Sequence, residues 1–368
     1  MLGVTLAATL TAVASSTSAQ AAGAAVARPH HVFVINLENT NYFEAFGPDS
    51  PAPYLSKTLR AQGQLLTRYY AVAHNSLPNY IAQISGQAPG SDTQADCPIY
   101  RDFVGTGTVA PGQAVGQGCI YPTSVTTVAD QLSAAGRSWK AYLEDMGNSP
   151  TESATCRHPA MNTPDDTQKA RVGDQYAARH NPFVYFHSIL DGGRCDTNDV
   201  PLDRLPADLS TEATTANFTY LTPNLCHDGH DQPCVDGRPG GLVSADAWLS
   251  TWVPRILASP AYRHDGLVVI TFDEAEASGT QADTTACCNE QAGPNSPMPG
   301  ITGPGGGRVG AVLLSRFIRP GSTNTHAYNH YALLASIEKL FGLGRLGFAG
   351  ATGLRTFGAD VYNASTTP

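Results

Sequence analysis

The chain has 368 residues, of which 42% are hydrophobic and 14% are charged, and its formal net charge is −9 at pH 7. The length is ample for a buried core, and the negative charge argues against a nucleic-acid partner and against electrostatic attachment to anionic membranes. A phosphorylated substrate stays open, because a metal ion or a local group of histidines outweighs the global field. With 36 glycines and 26 prolines, much of the chain is expected to form loops.

The N-terminal segment predicts export. The first 27 residues carry no charge, and an apolar stretch there is followed by small residues that include Ala19-Gln20-Ala21. This pattern is typical of a secretory signal peptide, so 1–21 is predicted to be removed and the protein to be secreted, or periplasmic where an outer membrane exists. The segment is too short for a secure transmembrane span, and no stable membrane insertion is predicted. No linker interrupts 30–360, which is predicted to be a single domain.

Eight cysteines form an even set, which favours disulfides in an exported chain. A zinc site is the alternative, but the sequence contains no Cys-x-x-Cys pair. The adjacent Cys287 and Cys288 are expected to pair with two different partners. The stretch 87–122, rich in glycine and proline, is expected to be a surface loop closed by a disulfide.

An apolar run from Val32 to Ile35 predicts a strand buried on both faces, and it leads to Glu38 and Asn39. In open α/β sheets, ligands bind just beyond the carboxyl ends of strands. The two polar residues are therefore candidate ligands. The alternative is that they only begin a loop and cap the next helix.

A second buried run repeats this pattern, because Leu267 to Ile270 leads to Asp273 and Glu274. Two such strands are difficult to explain as two separate caps. Together the four polar side chains offer the carboxylate and amide oxygens that hard divalent cations prefer. The sequence predicts a metal site at this edge of the sheet, provided that the two strand ends are adjacent.

Ser76 lies between a predicted strand at 65–73 and an apolar segment that predicts a helix. A hydroxyl at a helix N-terminus benefits from free N–H groups, which makes Ser76 a candidate nucleophile. The alternative is that Ser76 is an N-cap, with Pro78 as an early helical residue.

Two later segments bring further polar side chains. The cluster from Asn224 to Asp231 has a metal- or phosphate-ligand pattern, although a solvated loop closed by a disulfide explains the same residues. An amphipathic helix is predicted over 325–341, opening near His330. The glycines at 303–307 lack the Lys-Ser or Lys-Thr of a phosphate-binding loop, so nucleotide binding is unsupported.

Six stretches in this order resemble the bacterial phosphoesterase family of secreted acid phosphatases and phospholipases C, within the alkaline phosphatase superfamily. They are LENTNYFEAFG, HNSLPNY, RHNPFVYF, TPNLCHDGHD, VVITFDEAE and YNHYALLASIEKLFGL. The resemblance implies an α/β fold, a three-layer sandwich with a mostly parallel central sheet. The version most similar to this chain is the phosphatidylinositol 3-phosphate phosphatase-like type of acid phosphatase.

The resemblance also implies roles for single residues. Ser76 matches the nucleophile that forms a phosphoserine intermediate. A divalent ion, Ca²⁺, Mg²⁺, Mn²⁺ or Zn²⁺, is implied at Glu38, Asn39, Ser76, Asp273 and Glu274. Asn79 is implied to hold a phosphate oxygen. Three histidines are implied around the phosphate, where one protonates the leaving alcohol: His180, His230 and His330.

The resemblance thus implies an exported, metal-dependent phosphomonoesterase that acts on small phosphate esters, phosphoinositides among them. One alternative is a phospholipase C-like phosphodiesterase, since the same site cleaves either ester. Another is a non-catalytic secreted binding protein, which predicts loss of the nucleophile or of an acidic ligand, and neither is lost. The sequence leaves the identity and number of the metal ions, the physiological ester and the oligomeric state open.

Overall fold

The computed structural model describes residues 3–4 and 28–364, so the predicted signal peptide lies almost entirely outside the described residues. The described residues form twelve strands: β1 (His31–Leu37), β2 (Gln64–Tyr70), β3 (Ile99–Tyr100), β4 (Val104–Val109), β5 (Gln113–Gln117), β6 (Trp139–Leu143), β7 (Thr163–Pro164), β8 (Asp199–Pro201), β9 (Phe218–Thr222), β10 (Gly266–Phe272), β11 (Ala311–Ser315) and β12 (Ser322–Asn329).

Eight of these strands form the central sheet, in the order β12-β2-β11-β10-β1-β9-β6-β8. Neighbouring strands run parallel except at β11, which is antiparallel to both β10 and β2. The predicted α/β fold with a mostly parallel sheet is therefore confirmed.

Strands β1 and β10 set the geometry of the site. They are parallel neighbours, paired from His31 opposite Gly266 to Leu37 opposite Phe272. Every residue in both strands is buried, as expected for strands covered on both faces. Because the two strands end in register, Glu38 and Asp273 leave the sheet side by side.

The described residues also form ten α-helices, the longest of which is α8. They are α1 (Tyr42–Phe46), α2 (Arg60–Gln62), α3 (Ser76–Ser85), α4 (Val128–Ala134), α5 (His187–Leu190), α6 (Arg194–Asn198), α7 (Leu205–Asp208), α8 (Gly241–Ala258), α9 (Pro260–Asp265) and α10 (His330–Phe341). A π-helical segment, Tyr54–Leu59, leads directly into α2, and short 3₁₀ turns occupy several loops, among them Ala178–His180 and Pro182–Tyr185.

Helix α3 begins at Ser76, and the backbone N–H of Leu77 in its first turn is bound by the Asp96 carboxylate at 2.9 Å. The helix is buried along its whole length and ends at Gly86, whose φ of 69° suits the left-handed cap that glycine favours. A five-residue loop, 71–75, joins β2 to this helix. The start of α3 is therefore held between the sheet and the loop that contains Asp96.

Two predicted elements differ from the structure. The helix predicted over 325–341 begins only at His330, because the preceding residues pair with β2 as strand β12 and Asn329 caps the helix by accepting from the Ala332 N–H. The stretch 87–122 is closed by the Cys97–Cys119 disulfide as predicted, but it also contains the β4–β5 hairpin. The glycines within both strands concealed that hairpin, since glycine is depleted in strands and common in turns.

The eight cysteines form four disulfides, Cys97–Cys119, Cys156–Cys195, Cys226–Cys234 and Cys287–Cys288. The expectation that the last two bind different partners was wrong, because they bind each other. The other six cysteines are paired among themselves, which leaves Cys287 and Cys288 with no other cysteine as a partner. Among the described residues, none of the helices is both long and apolar enough to cross a bilayer.

Candidate active site

The ends of β1 and β10 bring the predicted metal ligands together. The backbone N–H of Asn39 donates to the Asp273 carboxylate at 3.0 Å, and the backbone N–H of Thr40 donates to the Glu274 carbonyl at 3.0 Å. The side chains of Glu38, Asp273 and Glu274 are almost completely buried. The condition set by the sequence, that the two strand ends be adjacent, is met.

Ser76 lies against the first of these carboxylates. Its hydroxyl donates to Glu38 Oε2 at 2.8 Å, while the Tyr80 hydroxyl donates to Glu38 Oε1 at 2.6 Å. Ser76 and Tyr80 are four residues apart and therefore lie on the same face of α3. The helix thus presents two hydroxyls to one carboxylate, and the carboxylate is held between them.

Burial raises the pKa values of the acidic groups in the site. Desolvation raises the pKa of Glu38, Asp273 and Glu274, and the Glu38 charge raises the latter two further. Hydrogen bonds from Tyr80 and the positive charges of Arg179 and His230 act in the opposite direction on the Glu38 pKa. Burial and mutual repulsion therefore favour the protonated form of these acids, and a bound cation would act in the opposite direction.

Donor chemistry and unpartnered oxygens both fit a divalent cation. Asn39 Oδ1 and Asp273 Oδ2 are buried without a hydrogen-bond partner, and such atoms are costly unless something binds them. Carboxylate, amide and hydroxyl oxygens are ligands that Mg²⁺, Ca²⁺ and Mn²⁺ accept. The three carboxylates of Glu38, Asp273 and Glu274 do not bring one oxygen each within 4.8 Å of one another, so they do not form a closed coordination shell by themselves.

His74 was left out of the predicted site, yet it contacts one of the ligands. Its Nδ1 is hydrogen-bonded to Glu274 Oε2, and its Nε2 lies 3.1 Å from the Asp283 carbonyl. The ring therefore orients the Glu274 carboxylate from the side of the 275–307 loop. Its position two residues before Ser76 was the signal in the sequence.

His180 meets the same Glu38 carboxylate, with Nε2 at 3.3 Å from Oε1, and its ring stacks on Tyr80 with 5.3 Å between centroids. Both ring nitrogens are buried and lack a hydrogen-bond partner, and Nδ1 lies 3.9 Å from Asp228 Oδ2, an oxygen that is likewise unpartnered. Burial, together with the positive charges of Arg179 and His230, holds the pKa of His180 well below its usual value. The structure thus leaves the His180 ring neutral and unpaired.

His230 lies at the exposed rim of the site. Its side chain is exposed, while its backbone N–H donates to Asp228 Oδ1 at 2.9 Å. The short loop from Asp228 to His230 is therefore closed on itself. Asn224, four residues before Asp228, is occupied elsewhere, since its amide donates to Asp145 Oδ2 at 2.8 Å and its carbonyl accepts from two backbone N–H groups.

Asn79 does not have the free amide that a phosphate ligand needs. Its Oδ1 accepts from the backbone N–H groups of Val72 and Ala73, each at 3.0 Å, and its Nδ2 donates to the carbonyls of Ala73 and Asn75, each at 2.9 Å. All the hydrogen-bonding capacity that faces the protein is thus used on the loop before Ser76. The structure places Asn79 as a support of that loop, which differs from the substrate contact that the resemblance implies.

His330 is also engaged inside the protein. Its Nε2 donates to the backbone carbonyl of Asp273 at 2.6 Å, and its Nδ1 accepts from the Tyr69 hydroxyl at 3.1 Å. Burial lowers the pKa of His330 to about 4, in keeping with this neutral tautomer. The ring therefore contacts the backbone of a ligand residue, and neither nitrogen is left free for a phosphate.

Arg179 is a further side chain that the sequence reasoning did not select. It is half-buried, precedes His180, and donates from Nη1 to the Gln168 carbonyl at 3.2 Å. Burial acts to lower the pKa of Arg179, but the negative charges of Asp96, Glu38 and Asp228 outweigh it and raise the pKa. The signal in the sequence was its position beside a candidate site histidine.

The fold is shared with solved structures of low sequence identity. A phosphonate monoester hydrolase from Silicibacter pomeroyi matches with a TM-score of 0.52 at 12% identity, over 92% of this chain and 78% of that chain. A putative sulfatase from Bacteroides thetaiotaomicron matches with a TM-score of 0.51 at 12% identity, over 93% and 76%. These likenesses concern the fold alone.

Sequence comparison is more specific. The Phosphoesterase family model matches residues 33–344, and the chain belongs to this family. The predicted family resemblance is therefore confirmed.

Named relatives are moderately similar over most of this chain. The probable acid phosphatase of Kluyveromyces lactis is 26% identical over 86% of this chain and 59% of its own length, and the phosphate-repressible acid phosphatase of Penicillium chrysogenum is 27% identical over 84% and 58%. The phosphatidylinositol-3-phosphatase of Mycobacterium tuberculosis is 24% identical over 87% and 79%. The chain thus spans less than two thirds of the length of the fungal relatives.

Proposed function

We propose that this protein is an exported, metal-dependent phosphomonoesterase that hydrolyses phosphate monoesters through a phosphoserine intermediate on Ser76. The observation that carries the proposal is the 2.8 Å hydrogen bond from the Ser76 hydroxyl to Glu38, at the point where two buried acidic strand ends meet the start of a helix. Relatives of the same family that are named acid phosphatases support it.

The first step transfers the phosphoryl group to the protein. The Ser76 oxygen attacks phosphorus, the new bond from Oγ to phosphorus forms, and the bond from phosphorus to the ester oxygen breaks in line with it. Glu38, which already accepts the hydroxyl hydrogen, is positioned to hold the proton as the oxygen becomes a nucleophile. Tyr80 fixes the other oxygen of the carboxylate and so keeps Glu38 facing Ser76.

The second step returns Ser76 to its free form. Water attacks the phosphorus of the phosphoserine, the bond to Oγ breaks, Oγ regains the proton held by Glu38, and inorganic phosphate leaves. His230, whose exposed side chain follows Asp228, is assigned the proton donated to the leaving alcohol, and the neutral His180 ring, beside Glu38 and Asp228, is assigned the proton taken from water.

A divalent cation fits the oxygens of Glu38, Asn39, Ser76, Asp273 and Glu274. When bound, it supplies charge neutralisation for the phosphoryl oxygens and a lower pKa for the serine hydroxyl. The chain contributes the alignment of these oxygens, through the register of β1 with β10 and through the hydrogen bond between His74 and Glu274.

The test is turnover of p-nitrophenyl phosphate by the mature protein, before and after removal of metal with EDTA. We expect activity to be lost on chelation and restored by one of Mg²⁺, Mn²⁺, Ca²⁺ or Zn²⁺, with a matched sample in excess metal as the control. Absence of turnover across pH and all four metals would refute the enzyme. Equal or faster hydrolysis of bis-p-nitrophenyl phosphate would instead support the phosphodiesterase.

The substrate class follows from the same proposal. The Mycobacterium tuberculosis relative, which bears the name phosphatidylinositol-3-phosphatase, motivates a comparison of a soluble phosphatidylinositol 3-phosphate with p-nitrophenyl phosphate. A higher kcat/KM for the phosphoinositide would assign that substrate. A much lower value would assign small, soluble monoesters.

A further inference from the structure

The phosphoryl group in the proposed reaction needs donors on the protein, and two expected donors are unavailable. The Asn79 amide is bonded to the loop before Ser76, and the His330 ring is bonded to the Asp273 carbonyl and to Tyr69. His180 and His230 remain. A phosphate with three non-bridging oxygens is usually held by more donors than two rings supply, with arginine prominent among them.

We infer that Arg179 binds the phosphoryl oxygens and is a catalytic residue of the proposed phosphoesterase reaction. The inference rests on the proposed function, since it names a contact to the group transferred to Ser76. Three observations on the geometry of Arg179 support it.

The first observation is the position of the residue. Arg179 lies in the 3₁₀ turn Ala178–His180, and the next residue, His180, places its Nε2 3.3 Å from Glu38 Oε1. The Glu38 carboxylate also accepts the Ser76 hydroxyl. The Ala178–His180 turn therefore carries the His180 ring, which contacts the carboxylate that binds Ser76. The residue before that ring is Arg179.

The second observation is a chain of contacts to the start of α3. Arg179 Nη1 donates to the Gln168 carbonyl at 3.2 Å, and Gln168 Nε2 donates to the Asp96 carbonyl at 2.8 Å. The Asp96 carboxylate in turn accepts the Leu77 N–H, next to Ser76. Gln168 and Asp96 thus connect the guanidinium by hydrogen bonds to the N-terminus of α3, where Ser76 lies.

The third observation is the free capacity of the guanidinium. Among the described residues its one hydrogen bond is that to Gln168, although a guanidinium has five N–H donors in a planar fork. The negative charges of Asp96, Glu38 and Asp228 around it keep it cationic. A half-buried arginine with most of its donors unused, one residue before a ring that contacts Glu38, suits bidentate binding of a phosphoryl group.

A simpler role would be that of a counter-ion for these carboxylates, and substitutions distinguish the two. Arg179→Lys keeps the charge but loses the planar fork, so a counter-ion role predicts near wild-type activity, whereas phosphoryl binding predicts a loss. Arg179→Gln removes both the positive charge and the planar fork of donors. Arg171→Gln is the matched control, since Arg171 lies shortly before Arg179 in the chain, is exposed and is bonded to Asp166.

Turnover of p-nitrophenyl phosphate and inhibition by inorganic phosphate are measured for all variants, with thermal melting and metal content as checks on folding. We expect Arg179→Gln to lose about 100-fold or more in kcat/KM, by analogy with removal of a preorganised oxyanion donor, and Arg179→Lys to stay at least about tenfold below wild type. Phosphate inhibition should weaken in both. Arg179→Ala should regain activity in added guanidinium, and Arg171→Gln should match wild type.

Two results would overturn the inference. One is activity of Arg179→Gln or Arg179→Lys within about threefold of wild type, roughly the scatter expected for a surface change. The other is loss of activity with unchanged phosphate inhibition and no rescue by guanidinium, which would assign Arg179 a structural role. An active wild type with an inactive Ser76→Ala upholds the proposed function in either case, and an inactive wild type refutes that function by itself.

Discussion

The hydroxyl of Ser76 and the carboxylate of Glu38 are hydrogen-bonded at 2.8 Å, although 38 residues separate them in the chain. Glu38 directly follows the central strand β1, and Ser76 begins α3, so the contact joins the end of the sheet to the helix. The carboxylate accepts a second hydroxyl, that of Tyr80. A buried acid that meets a serine in this way has the geometry of a nucleophile and its base or shared metal ligand.

Glu38→Gln tests this contact. The amide keeps the size of the side chain but removes its charge, so we predict loss of bound metal and a fall in kcat of at least about 100-fold, comparable to loss of one preorganised group. Metal content by elemental analysis and turnover of p-nitrophenyl phosphate are the measurements. Glu212→Gln, at an exposed carboxylate, should change neither. Full activity and full metal content in Glu38→Gln would contradict the assignment.

Asn79→Ala should reduce stability as well as activity. The variant leaves the buried N–H groups of Val72 and Ala73 without an acceptor, at a cost of about 2 to 5 kcal/mol in the free energy of unfolding. We expect kcat to fall because the loop that carries Ser76 loses its support. Urea unfolding and steady-state kinetics check this, with the exposed Asn148→Ala as control. Unchanged stability with a raised KM alone would instead show a direct substrate contact.

Asp199 should make stability depend on pH. Burial raises its pKa to about 8, with Asn181 as a hydrogen-bond donor and with Oδ1 unpartnered. The folded state therefore keeps a proton up to about pH 8, whereas an unfolded aspartate loses it near pH 4. The stabilisation is complete below about pH 4 and is lost as pH rises to about 8, by roughly 5 kcal/mol at most for this interval.

Asp199→Asn should remove that dependence and melt at a higher temperature than wild type at pH 8. Thermal unfolding from pH 4 to pH 8 is the measurement, with the exposed Asp49→Asn as control. A variant whose melting temperature falls with pH as steeply as that of wild type would show that Asp199 is ionised in the folded protein.

The sequence allowed the two central strands and the acidic residues that follow them to be predicted, because both depend on local pattern. Continuous apolar runs identified β1 and β10, and the polar residues after each run identified Glu38 and Asp273. The register that brings them together is a non-local property of the sheet, which a single strand does not encode. The start predicted for α10 was too early for the same reason, because a non-local contact decides it. Pairing with β2 keeps the residues before His330 extended.

The hydrogen-bond partners of individual side chains could not be predicted from the sequence. Asn79 and His330 match the family pattern, yet the structure engages both inside the protein. Tyr80 and His74 lie at the two ends of the HNSLPNY stretch, yet their contacts with Glu38 and Glu274 depend on how α3 and the loop before it dock on the sheet. Which of several buried polar groups is free for a ligand is decided by packing, and composition does not reveal it.

The most direct test of the central claim is detection of a phosphate on Ser76. The mature protein is mixed with p-nitrophenyl phosphate, quenched in acid within milliseconds, digested and analysed by mass spectrometry, beside Ser76→Ala and an unrelated surface variant, Ser250→Ala. The account predicts phosphoserine at Ser76 in wild type and in the Ser250 variant, and neither modification nor turnover in Ser76→Ala. Turnover by a folded Ser76→Ala at the wild-type rate would contradict it.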